Sequence, residues 1–123
     1  MKVNVFIPRA LKTEVQKELH FSSKAFTLGL YKDAFTHLER AHILGQAWPV
    51  EHTYVHWKML IFAFKIKDRK EILGQIPRLL FGGIKSFVGE IPIGNTGGAN
   101  VPPLKSMEIP DDLKLILEKN KKN

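Results

Sequence analysis

Residues 31 to 66 read YKDAFTHLERAHILGQAWPVEHTYVHWKMLIFAFKI. The stretch holds two helical patterns separated by one break. In the first, Ala34, Leu38, Ala41 and Gly45 recur on one helix stripe, with Phe35 and His42 beside it. Asp33 stands in the first turn, where the helix macrodipole favours an acid. Gly45 and then Trp48-Pro49 stop the pattern. The second pattern starts near Val50, with Glu51 in its first turn. From Tyr54 to Ile66 most positions are apolar, which predicts a central helix buried on nearly every side. So short a turn makes the two helices antiparallel neighbours. The stretch therefore predicts a helical hairpin over residues 31–45 and 50–66.

The flanks extend the same logic. Pro8 suits a first helical turn, where its missing N–H is not needed. Leu11, Val15 and Leu19 follow at helical spacing and predict a helix over 9–21. Ser22 and Ser23 then end it or cap a continuation towards Gly29. Downstream, Ile72, Leu73, Ile76, Leu79 and Leu80 predict a helix over 68–81, kinked at Pro77 and ended by Gly82-Gly83. Residues 82–109 are rich in Gly and Pro and defeat regular helix, while Ile91, Ile93, Val101, Leu104, Met107 and Ile109 pin them onto the helices as a wrapping loop. A last helix over 110–118 carries Asp111 and Asp112 in its first turn and packs through Leu113, Ile116 and Leu117, and residues 119–123 form a basic tail. The expected fold is all-α, in one domain over residues 1–118. It consists of two stacked antiparallel helical hairpins, loosely tetratricopeptide-like, with a long Gly/Pro-rich C-terminal loop and a short final helix. Ile-Leu-Gly-Gln occurs at 43–46 and again at 72–75; the copies fall at different places in their helices and read as coincidence.

Bulk properties narrow the functional classes. The 123 residues include no cysteine, which excludes disulfides and thiolate metal sites. The longest apolar run, Met59 to Phe64, is far too short to span a bilayer, and the N-terminus lacks a secretory pattern. The expectation is a soluble cytoplasmic protein. A formal charge of +7 permits attraction to nucleic acid, but the lysines are dispersed and no recognition motif accompanies them. Nucleic-acid binding is therefore disfavoured.

Three segments together carry a resemblance: Leu38 to Gln46, containing AHILGQ; His52 and His56 with Trp57 and Met59-Leu60; and GNTGGANV at 94–101 with Pro110 to Leu113. Over roughly residues 25–117 the chain resembles an uncharacterised bacterial family of small helical proteins, a domain of unknown function. The resemblance implies a helical fold and no established activity. Some members of that family are encoded near heavy-metal-resistance genes, an association without a mechanism.

The chemistry-bearing residues are histidines. His52 and His56 are one helical turn apart and share a face, so both can reach one Zn²⁺, Ni²⁺ or Cu²⁺ ion. Thr53 follows His52 where the zinc-protease pattern requires Glu, which disfavours that chemistry. Glu39 and His42 make one E-x-x-H pair, whereas di-iron bundles need two. The reversal at Gly45 to Pro49 should bring His42, near one helix end, to His52, near the next helix start. The candidate metal ligands are thus His42, His52 and His56, with Glu39 as fourth and His37 at the periphery. The competing reading is an ordered polar network with no ion.

The other candidate is the loop Asn95, Thr96, Gly97, Gly98 and Asn100. It lacks the P-loop and dinucleotide patterns. Either it forms an anion-binding nest, with Arg40, Arg78 and Lys85 as basic partners, or it folds over the helices with Asn95 and Asn100 as hydrogen-bonding struts; the second reading is favoured. No nucleophile–base pair or complete acid–base dyad can be read, so an enzyme ranks third. The leading expectation is a small metal-binding or metal-response accessory protein, with a divalent ion as its partner. The rival is a tetratricopeptide-like module that binds a protein partner.

Overall fold

The computed structural model describes residues 6–88, 95–101 and 106–120, with residues 80–88 described by their backbone. Among these residues all regular structure is helical: α1 (Arg9–Thr27), α2 (Tyr31–Gly45), α3 (Pro49–Ile66), α4 (Arg69–Val88) and α5 (Asp111–Lys119). α1 packs on α2 and α3 on α4, and α2 also meets α3 and α5. Two antiparallel hairpins are thus stacked through α2 and α3, as the hydrophobic pattern required.

Each junction has a local cause. Gly29 is left-handed (φ 78°) just past α1. Its N–H donates to the Phe26 carbonyl and that of Leu30 to the Ala25 carbonyl, satisfying two orphan helix-end acceptors. α3 ends the same way on Lys67 (φ 59°), a residue that resists this conformation. Pro49 occupies the first turn of α3. The Asp68 side chain accepts from the Glu71 N–H and caps α4.

The core lies between the hairpins. Leu11 and Val15 of α1, Ala34, Leu38, Ala41 and Leu44 of α2, Val55, Met59 and Phe62 of α3 and Leu113 of α5 form one buried cluster. Burying a leucine of this kind contributes roughly 2 kcal/mol. Phe62 bridges the layers, its ring 5.9 Å from that of Phe26 and 5.4 Å from that of Phe35.

Three expectations change. α1 runs unbroken through Ser22 and Ser23, because the Ser22 hydroxyl donates to the Ala34 carbonyl of α2 (2.7 Å) and staples the helices rather than capping one. α4 continues past Gly82-Gly83 to Val88, since two glycines weaken a helix already several turns long without breaking it. α3 is not buried all round: Val50, Tyr54, Trp57 and Phe64 are each about half exposed, because a two-layer stack covers only its inner side. Of the expected wrapping loop, residues 82–88 belong to α4 and residues 95–101 lie on the helices, while residues 89–94 and 102–105 fall outside those described. No helix among the described residues is long and apolar enough to cross a membrane.

Candidate metal centre

The α2–α3 turn brings three imidazoles to one point. A Cβ at Gly45 would lie 3.1 Å from the Glu51 Cβ, so glycine lets the start of α3 close on the end of α2. His42, in the last turn of α2, then faces His52 and His56 across that gap. Their Nε2 atoms form a near-equilateral triangle: 3.1 Å from His42 to His52, 3.1 Å from His42 to His56 and 3.0 Å from His52 to His56. A point about 1 Å off that plane lies roughly 2.1 Å from all three nitrogens, the zinc–imidazole distance.

The outer edges of two rings fix their tautomers. His42 Nδ1–H donates to the Asn95 carbonyl (2.6 Å), and His56 Nδ1–H donates to Gln75 Oε1 (2.6 Å). Gln75 is fully buried, and its own amide is oriented by donation to Glu71 Oε2 (2.6 Å) and to the Gly97 carbonyl (2.8 Å). A carbonyl oxygen only accepts, so His42 and His56 carry their protons on Nδ1 and turn bare Nε2 lone pairs inward. At most one proton, on His52, is then shared among three converging nitrogens. Added protons are resisted. Burial, and then the two neighbouring histidines, hold His42 well below the ordinary imidazole range; burial, and then His52, bring His56 down to about 3.

The loop at 95–101 supports this centre from outside. Gly97 (φ 84°) lies flat on His42: a Cβ there would sit 2.6 Å from the ring Cδ2. The Asn95 side chain is buried and accepts from the Gly97 N–H (2.8 Å), tightening the turn. The Ala99 N–H donates to both oxygens of Glu71 (3.1 and 3.0 Å), so the anion that this loop holds is the chain's own carboxylate. Gly98 is buried, while Asn100 is exposed and is not the buried strut expected of it. Arg78 secures the far end, donating to the Val101 carbonyl (2.7 Å) and the Gly74 carbonyl (2.9 Å).

The remaining candidates lie elsewhere. The convergent set among the described residues is His42, His52 and His56, without Glu39. Glu39 lies under the loop; burial raises its carboxyl pKa, Thr96 opposes that, and the Glu71 charge adds to it. His37 belongs to a separate clamp: its Nδ1–H donates to Glu18 Oε1 (2.7 Å), and Arg40 Nε donates to Glu18 Oε2 (3.1 Å). Arg40 also pairs with Asp112, which joins α1, α2 and α5. The Lys85 side chain lies outside the described residues.

Sequence reasoning missed Gln75, which stands in the repeated Ile-Leu-Gly-Gln. Both copies place a buried glutamine, Gln46 or Gln75, after a glycine that admits close approach. Gly74 lets the loop in, since a Cβ there would lie 2.3 Å from that of Ala99. The repetition was the available signal.

No curated protein and no solved structure matches the chain. The family described as "Protein of unknown function (DUF3703)" matches residues 9–117. The all-helical scaffold and its histidine centre therefore sit in a chain that belongs to the DUF3703 family.

Proposed function

We propose that this chain binds one Zn²⁺, Ni²⁺ or Cu²⁺ ion through Nε2 of His42, His52 and His56, and acts as a small metal-binding accessory protein. One observation carries the reading: three Nε2 atoms within 3.1 Å of one another, two of them held as lone-pair donors by carbonyl partners behind the rings. A protein-only polar network supplies too few protons for that arrangement, whereas a cation satisfies all three lone pairs at once. Neutral imidazoles suit borderline ions. Backing of each ring by a hydrogen-bond acceptor is the usual support of a histidine ligand.

The test is calorimetric titration of the purified protein with each ion. The expected result is one ion per chain, with binding lost in His42→Ala and His56→Ala variants that keep their helical circular dichroism. Absence of binding at micromolar metal refutes the proposal.

A further inference from the structure

The triad supplies three ligands, and no Asp, Glu or further His among the described residues joins it. All three donors are neutral imidazoles. An ion held there keeps its full double charge in a place where His42 and His56 are each only 2% exposed. The charges already present do not offset it. The Glu71 carboxylate, held by Gln75 and Ala99, is balanced by the Arg78 guanidinium, so that pair leaves the charge of the ion unmatched. Burial disfavours the charged form of Glu39. Leaving a buried charge uncompensated costs several kcal/mol. A tetrahedral ion with three protein ligands keeps its fourth position open to a water or an exchangeable ligand. His52 is the one ring of the three that is partly exposed, so exchange would enter from its side.

We infer that the fourth position of the bound ion takes a small exogenous monodentate anion. The inference rests on the metal reading above. Size follows from burial, since two of the three rings are closed to solvent. Charge follows from the neutral ligand set.

The test uses Co²⁺ as the ion and azide as the anion. Co²⁺ held by three imidazoles and one further ligand absorbs strongly in the visible, and the band reports on that ligand. Azide should shift the band in a saturable, one-to-one titration. A Co²⁺ band unmoved by excess azide overturns the exchangeable anion site. Failure of the wild type to hold Co²⁺ at all overturns the metal reading, and the anion site with it.

Discussion

Replacing Gly97 with alanine tests the link between the loop and the triad. Gly97 has φ 84°, so an L side chain costs about 1 kcal/mol in dihedral strain. It also faces a ring that cannot move freely. The new Cβ would meet His42 at 2.6 Å (Cδ2), 2.8 Å (Cγ) and 2.9 Å (Nε2), while His42 Nδ1–H is held by the Asn95 carbonyl. Overpacking of this kind adds roughly 2 kcal/mol. Gly29→Ala is the matched control: its φ is 78°, and nothing lies within 4 Å of its Cβ. The control should therefore lose only the dihedral cost. Urea unfolding of metal-free protein should show Gly97→Ala destabilised by about 3 kcal/mol and Gly29→Ala by about 1 kcal/mol. Zn²⁺ affinity should fall by about 10- to 100-fold in Gly97→Ala, as when the support of a ligand is lost, and stay unchanged in Gly29→Ala. Equal destabilisation of the two variants, or unchanged Zn²⁺ affinity in Gly97→Ala, would refute the reasoning.

Further outcomes follow from the same geometry. Gln75→Leu removes the acceptor of His56 Nδ1–H and leaves the Gly97 carbonyl unpaired; calorimetry should show metal affinity about 10- to 100-fold weaker, and unfolding a loss of about 1–3 kcal/mol. Metal-free stability should fall with acid. His42 and His56 have folded pKa values below the ordinary 6.5, so the unfolded chain takes up protons first as pH drops. Their contribution is complete above about pH 6.5 and declines by up to about 1.4 kcal/mol per pH unit for each ring, until His56 itself protonates near pH 3. Urea midpoints measured from pH 7.5 to 4.5 check the slope; a flat profile contradicts it. Lys67→Gly should stabilise the protein by about 1 kcal/mol, because it relieves a left-handed residue at the end of α3. A thermal midpoint that does not rise would place no strain there.

The hairpin of α2 and α3 was legible because its stripe, its stop at Gly45 and its Trp48-Pro49 break all point the same way. That hairpin also made His42, His52 and His56 legible as a group, since a tight antiparallel turn leaves helix-end residues few places to go. Other parts were not readable for definite reasons. Glu39 shares the helix of His42 and lies beside it, but its carboxylate turns to Thr96 of the loop while the His42 Nε2 turns to α3, a choice of rotamer that spacing does not announce. Gly82-Gly83 looks like a stop, yet glycine is only a weak helix former and α4 runs through it. His42 is backed by the main-chain carbonyl of Asn95, and Gln75, which backs His56, is itself oriented by that of Gly97; these are atoms that every residue possesses and no side-chain pattern announces.

The bond from His42 to Asn95 spans 53 positions of chain. Together with Gln75 it means that the centre draws on α2, α3, α4 and the 95–101 segment at once. An unfolded or half-assembled chain would offer an ion little more than the local His52–His56 pair, so the proposed binding would select the finished protein. An ion present at about a thousand times its dissociation constant would add roughly 4 kcal/mol to the native state. The cellular lifetime of this protein should then follow metal supply, with starved chains opening more often and reaching proteases sooner.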